Sequence, residues 1–435
     1  MLAKYARAVE IMQSSAIPRS DSRSWTYQWY IHAVPARVDG QPAGKSRELD
    51  RIFGAIGPGR DLAEEVWWTC QAHFAGSSPE MFLPWHRMYL AVFENIIRDV
   101  LQDDDFALPY WDYTKSGQRS IPAEFRNRTH NLFKHLYVEE RKNDGRININ
   151  AGDPMDRGAT QSPFNLSVMQ NPEYAGPFGF CESLDGALHG NVHTGVGGAE
   201  NMGRIPTAAR DPVFWVHHCN IDRIWAGWNA AGGRNPNTSA LFAFAGPSQQ
   251  RIEMDARDVG TTASLGYGYD DLPVPPRAPS VSGSVAGTSP ATIAISESDI
   301  GLGAGPTEVQ LDTPPATEIA ASTALAGTNR RLLLVLEGLA ARVVPDVLYE
   351  AFLNLPRGAN DEQKRKSYVG TFSFFRAGEH DGHSSGSLSF DITETVRTLR
   401  EARQLGSRTS VTFIPIGAPA AGSRAIVGRV RLVSR

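Results

Sequence analysis

The sequence predicts a mainly α-helical first part, a bundle draped with long loops, followed by a β-sandwich-like second part. Three observations predict this. Up to about residue 278 the chain is rich in aromatics, and its apolar residues recur at helical spacing. Near residue 273 the composition breaks into LPVPPRAPSVSGSVAGTSPAT, a Pro/Ser/Gly-rich stretch suited to a linker. Beyond it apolar and polar residues alternate, the period of half-buried strands.

In chain order, helices are expected over residues 3–13, 24–33, 62–74, 85–101 and 212–228. MYLAVFENIIRDVL (88–101) sets an apolar face against a charged one. Residues 113–180 are polar and punctuated by Gly and Pro, and read as long loops. DPVFWVHHCNIDRIWAGW (211–228) opens on Asp211-Pro212, an acidic cap and a first-turn proline. After the linker come TEVQLDT, RRLLLVLEGL, DVLYEAFLNLP, YVGTFSFF, GSLSFDIT, SVTFIPIG and AIVGRVRLVSR, six or seven strands with one short helix at 392–403. GLGAGP (301–306) reads as a turn among strands. The domains are therefore drawn at 1–278, with a linker at 279–294 and a β-rich domain at 295–435.

The formal net charge of -4 gives no reason to expect nucleic acid or an anionic membrane as partner. No apolar run is long enough to span a bilayer. The first residues, MLAKYARAVEIMQSS, lack the apolar core of a secretory signal. A cytoplasmic location is the default, with export alongside a partner protein left open. Three cysteines, Cys70, Cys181 and Cys219, are too few for a disulfide scaffold.

The helix at 212–228 raises a question. It is apolar on most sides yet carries His217, His218, Asn220, Asp222 and Arg223. Buried polar groups cost free energy unless paired. Of the eleven histidines, His130, His135, His380 and His383 lie in polar contexts and read as surface residues. The others lie in aromatic segments. His189 and His193 are four apart, so a helix would place both on one face, able to grip one metal. His218 would complete a tripod. His32, His73 and His86 offer a second. No carboxylate stands beside them as in a His-Glu-x-x-His hydrolase motif. An all-imidazole donor set suits copper, zinc or nickel, and two such triads in an aromatic pocket favour a pair of redox-active ions. The competing reading is that these histidines cap or bridge aromatic helices.

CQAHFAGSSPEMFLPWHRMYLAVFE resembles the first copper motif of tyrosinases, catechol oxidases and molluscan haemocyanins. ALHGNVHTGVGG followed by DPVFWVHHCNIDRIWAGW resembles the second. SWTYQWYIHA resembles the segment supplying the first histidine, and ALPYWDYT a segment between the motifs. The resemblance spans residues 10–230 in pieces, and the β-rich tail is similar to the C-terminal domain of longer members. It implies a dinuclear copper site in a four-helix bundle. His32, His73 and His86 would bind one copper; His189, His193 and His218 would bind the other. Phe82 and Trp85 would pack around the pair, with Asn220 and Asp222 orienting imidazoles or pairing with Arg223 or Arg87.

Three departures stand out. His73 and His86 are further apart than usual in the family. Gly190 follows His189 where members that hydroxylate monophenols often carry Asn, which with a nearby acid steadies a water; Asp185 is the preferred acid, Glu182 the alternative. Cys70 stands at Cys-x-x-His, off by one from the family's commonest thioether spacing, and reads as a free thiol.

Asp185, Gly190 and Asn220 are thus the candidate catalytic positions beside the ligands. The resemblance implies an oxidase that uses dioxygen to convert o-diphenols to o-quinones, with ortho-hydroxylation of monophenols less assured. The alternatives are an o-aminophenol oxidase and haemocyanin-like reversible oxygen binding. Small phenols are the expected partners, and the sequence leaves the oligomeric state undetermined. Gly190, Thr194, Met202, Arg204 and Ile205 are expected at the pocket mouth, where Arg204 would attract a substrate carboxylate. The C-terminal domain is expected either as a lid that inserts a side chain or as a purely stabilising domain.

Overall fold

The computed structural model describes residues 1–32, 42–54, 56–69, 79–176, 178–198, 200–276, 291–296, 299–312, 331–377, 387–405 and 408–435. The candidates His73 and Cys70, and residues 279–290 of the expected linker, lie outside these. Two compact units are present: Met1–Met155 with Val196–Val274, and Asp156–Gly195 with Pro275–Arg435.

The first unit is helical. Its helices α1 (Leu2–Met12), α2 (Trp25–Tyr30), α3 (Pro42–Phe53), α4 (Pro58–Thr69) and α5 (Phe82–Leu101) precede the His218 helix, Val213–Ala230. All but α3 match expected segments. The capping chemistry is local. The Ser24 hydroxyl accepts from the Tyr27 N–H at 3.0 Å to start α2. Gln102 at φ 52 ends α5, and its N–H reaches back to the last carbonyls. α5 and the His218 helix meet through buried aromatics: Trp215 stacks on Phe93 at 3.4 Å between ring centroids and packs on Tyr89 at 4.8 Å. Such pairs add about 0.5–1.5 kcal/mol each beyond the area they bury.

Residues 113–155 form the expected loops, broken by single 3-10 turns. A loop this long must satisfy its own polar groups. Arg141 does much of it from a fully buried position. It donates to both Asp211 oxygens at 2.8 Å and to the carbonyls of Phe125 and Leu136. Asp211 also accepts from the Val213 N–H at 3.0 Å, so the acidic opening of the His218 helix is real, although it is Pro212 that stands at the cap. A hairpin of β1 (Leu241–Ala245) and β2 (Arg251–Asp255), absent from the sequence reading, pairs Leu241 with Asp255 and Ala245 with Arg251.

The second unit holds two antiparallel sheets. Strands β3 to β11 are Ala291–Ile295, Ile300–Leu302, Thr307–Leu311, Leu332–Ala340, Tyr349–Leu353, Tyr368–Phe372, Leu388–Asp391, Thr409–Pro415 and Ala425–Ser434. One sheet runs β5-β10-β7-β8. The other runs β3-β11-β6-β9, with β4 also on β11. The expected strands are present. The first two, β3 and β4, were not anticipated: β3 takes in residues 291–294, assigned above to the linker, and β4 ends on the first two residues of GLGAGP, read above as a turn. Leu334, Leu336, Val430 and Leu432 from one sheet share a core with Tyr349, Ala351, Val411 and Phe413 from the other. In β6 the run is continuous rather than alternating because its other face is covered too: Leu333 and Val335 pack with Val433 and Phe178.

The same unit contains the His189 helix. It runs from Phe180–Ser183 through a π-turn, Leu184–His189, into Gly190–Val196. No helix among the described residues is long and apolar enough to cross a membrane.

Candidate metal centre

In the helical unit, α2 delivers His32 just beyond its end and α5 carries His86 in its second turn. Both are buried. The Nδ1 atoms face backbone carbonyls, His32 to Ile205 at 3.2 Å and His86 to Phe82 at 2.8 Å. That assigns the proton to Nδ1 and the lone pair to Nε2. The two Nε2 atoms stand 3.3 Å apart. Facing lone pairs at that distance repel unless a cation or a proton lies between them. His218 stacks on His86 at 4.3 Å and packs on Phe214 at 4.1 Å. Phe82 lies 4.6 Å from His86, and Trp85 lies 5.8 Å from His32, so both expected packing residues are in place.

The buried polar groups of the His218 helix each have an identifiable role. His217 Nδ1 meets the Tyr113 hydroxyl at 2.9 Å, which is the partner it required. Burial holds the Tyr113 phenol well above its usual range. Asn220 accepts from Arg223 at 3.0 Å. Arg223 also pairs with Asp112 at 3.2 Å. Asp222 is not its partner. Asp222 accepts from Arg87 Nε at 2.5 Å and from the hydroxyls of Tyr267 at 2.5 Å and Tyr269 at 2.6 Å. Burial, reinforced by the Asp222 charge, holds both phenols protonated far above neutral pH.

In the second unit His189 and His193 are brought together as the four-residue spacing predicts, with ring centroids 4.5 Å apart and both buried. The π-turn places Asp185 beneath them. Asp185 Oδ1 lies 3.0 Å from His189 Nδ1, which also faces the Asp185 carbonyl at 3.3 Å. His189 therefore turns Nε2 outward, the arrangement of a carboxylate-supported metal ligand. Asp185, rather than Glu182, is the acid beside the ligand; Glu182 accepts from the Gly176 N–H instead.

The sequence reading missed what covers this pair. After β8 the chain lays Ser373, Phe375 and Arg376 along the helix. The Phe375 ring stacks on His193 at 4.1 Å and 10° and meets His189 edge-on at 5.7 Å. Arg376 Nη1 lies 3.0 Å from the second Asp185 oxygen. Gly190 lets this segment in: a Cβ there would stand 3.0 Å from Ser373 Oγ and 3.7 Å from Phe375 Cβ. Nothing in YVGTFSFFR distinguishes these residues from ordinary strand and turn positions. Of the expected mouth residues, Thr194, Met202 and Ile205 are buried, and Arg204 is half-buried. Cys181 and Cys219 are both buried.

His32, His86 and His189 each turn Nδ1 toward oxygen, leaving Nε2 to point away. Neutral imidazoles without a carboxylate ligand fit copper, and the facing Nε2 pair in the helical unit calls for a cation.

Comparison with known proteins places these histidines in a family. The common central domain of tyrosinase matches residues 22–231, and a domain of unknown function matches residues 286–435. Tyrosinase HcTyr1 of Hahella sp. is 29% identical over all of this chain and 96% of its own length. Polyphenol oxidase A1 of Vicia faba is 29% identical over 63% of this chain; the match takes in 46% of that protein, so the chain spans about half the length of this plant relative. Latent aurone synthase shares the fold, with TM-score 0.61 at 20% identity over 99% of this chain and 86% of that one. Latent apple tyrosinase does so with TM-score 0.58 at 19% identity over 99% and 93%. The chain belongs to the type-3 copper family of tyrosinases and polyphenol oxidases, and it is a copper oxidoreductase.

Proposed function

We propose that this enzyme oxidises o-diphenols to o-quinones with dioxygen as co-substrate. Two coppers are assigned, one to His32, His73 and His86, the other to His189, His193 and His218. The observation that carries the reading is the orientation of the imidazoles: carbonyl or carboxylate oxygen engages Nδ1 of His32, His86 and His189, which reserves Nε2 for a metal.

Bound copper supplies the electron exchange with dioxygen. A catechol gives up two electrons and two hydroxyl protons to become the quinone, so two catechols reduce one dioxygen to two waters. The chain contributes the rest. Asp185 holds His189 in one tautomer. Phe82, Trp85 and Phe214 keep water from the imidazoles in the helical unit. Diphenol oxidation is favoured over monophenol hydroxylation because Gly190 has no amide to steady a water beside His189. The Phe375 ring lies flat on the face of His193 that a planar phenol would need, so the chain as described is a closed form.

The test is metal analysis with oxygen uptake on 4-methylcatechol, for the intact chain and for Phe375→Ala. Two coppers per chain and uptake that rises at least tenfold in the variant are expected. Two coppers with no uptake on any catechol in either form would overturn the oxidase reading.

A further inference from the structure

In the helical unit the imidazoles of His86 and His32 both lie against an indole. Trp85 is 4.9 Å from His86 and 5.8 Å from His32 between ring centroids. Tyr89 follows Trp85 at 4.8 Å, Trp215 follows Tyr89 at 4.8 Å, and Trp25 follows Trp215 at 6.2 Å. Tryptophan and tyrosine are the aromatic side chains that give up one electron most readily. The other rings against this line, Phe93, Phe214 and Phe244, resist it. The oxidisable rings therefore stand in single file, from the imidazoles through α5 and the His218 helix to α2.

Packing alone does not account for how their N–H groups are treated. Trp85 and Trp215 are fully buried, and neither Nε1 has an acceptor among the described residues. A buried indole N–H ordinarily has a partner, and an orphaned one calls for a reason. An indole that loses an electron in such a place has nowhere to send its proton, so it stays a radical cation and takes an electron from the next ring. The Tyr89 hydroxyl donates to the Gln28 carbonyl, a bond along which its proton shifts and returns. Trp25 differs. It is 6% exposed, and its Nε1 donates to the Arg210 carbonyl at 3.2 Å in a partly exposed position. There the proton can pass to water, and the oxidation comes to rest.

We infer that Trp85, Tyr89, Trp215 and Trp25 form a relay that carries electrons from the surface to the copper site when no phenol supplies them, and that an outside one-electron donor is oxidised at Trp25. The relay rests on copper at His32 and His86. Each passage moves one electron inward from Trp25, which releases its indole proton. A donor such as ferrocyanide returns the electron, and water returns the proton. With hydrogen peroxide as the oxidant, two electrons and two protons complete its reduction to two waters.

The experiment treats the full-length chain, copper-loaded or zinc-loaded, with hydrogen peroxide in the absence of phenol. Peptide mass spectrometry reads the oxygen gained by each tryptophan. Trp29, one turn further along α2, is the internal control: it is more exposed than Trp25 but packs edge-on against Tyr30, off the relay. In the copper form Trp25 is expected to gain oxygen several-fold faster than Trp29, and zinc to remove the difference. Trp215→Phe puts a ring that resists oxidation at the third place. It should bring Trp25 down to the level of Trp29 and raise the oxidation of Trp85. Ferrocyanide should protect Trp25 in the parent, with two ferricyanides formed per peroxide consumed, and both effects should be lost in the variant.

Equal oxidation of Trp25 and Trp29 in the copper form, or Trp25 oxidation that survives Trp215→Phe, overturns the relay; oxygen uptake on 4-methylcatechol then leaves the oxidase reading standing. Copper-dependent oxidation of Trp25 that Trp215→Phe abolishes, with no uptake on any catechol, upholds the relay and overturns the oxidase reading. Should Trp215→Phe fail to fold, Trp25→Phe at the edge of the core takes its place. Ferricyanide formation should then fall several-fold while peroxide marks Trp215 instead, and unchanged ferricyanide formation would overturn the inference.

Discussion

Asp222 and Asp185 are both buried, both paired with arginine, and both beside a histidine-bearing helix, yet they do different things. Asp222 is closed on every side by groups of its own unit: Arg87, itself fully buried, and the hydroxyls of Tyr267 and Tyr269. The Arg87 guanidinium is further sandwiched against Trp225 at 3.6 Å. Asp185 has one firm neighbour, the His189 imidazole, and one arginine, Arg376, whose side chain is 22% exposed. A carboxylate satisfied by buried partners is structural. One that shares its charge with a partly exposed arginine is less firmly enclosed.

The largest effect should come from breaking the closed knot. Asp222→Ala strands a buried guanidinium, which costs about 3–5 kcal/mol. Thermal or denaturant unfolding of the apo chain measures it. Tyr267→Phe removes one hydrogen bond to a charged group and should cost about 1.5–3 kcal/mol. If Asp185→Asn destabilised the chain as much as Asp222→Ala, the distinction between the two would collapse.

Next in size is Gly190→Asn. Its Cβ meets Ser373 at 3.0 Å and the amide has no room beyond it, so the segment must shift or the helix must give, at about 1–3 kcal/mol. Ser373 and Phe375 are themselves buried, and the chain reaches partial exposure only at Arg376, which is where the strain can be relieved. Trypsin cleavage after Arg376 should become several-fold faster in Gly190→Asn, with an intermediate rate in Gly190→Ala. Unchanged cleavage in both would show that Gly190 does not gate the segment.

The difference between the two aspartates also marks what the sequence could reveal. Helical spacing in MYLAVFENIIRDVL and alternation in SVTFIPIG and AIVGRVRLVSR announce their elements because one face of each is buried and the other is not. His32, His86, His189 and His193 stand out because histidines rarely gather in aromatic segments without a role. Asp222 was placed with either of two arginines, and only packing chose Arg87 over its sequence neighbour Arg223. Phe375 and Arg376 were invisible. Their importance comes from contact with His193, His189 and Asp185, far earlier in the chain, and no local pattern carries that information. The hairpin at 241–255 was missed because LFAFA and RIEMD are short and lie far from the other strands.

A third buried carboxylate sharpens the comparison by having no arginine at all. Glu350 of β7 is 4% exposed and accepts from the Thr160 N–H at 2.6 Å and the Thr160 hydroxyl at 2.9 Å. Burial pushes its carboxyl above the usual range, and the Thr160 bonds and the Lys364 charge only partly offset this. The folded chain therefore keeps the proton to a higher pH than the unfolded chain does. Between the two pKa values the native state binds more protons, so stability falls as pH rises. Glu350→Gln removes the titration and can still accept from the Thr160 N–H. The melting temperature of the parent should drop from pH 4.5 toward pH 7 more than that of Glu350→Gln, with the gap widening as pH rises. Parallel curves would mean that Thr160 compensates the burial in full, and that hydrogen bonds alone can do for Glu350 what Arg87 does for Asp222.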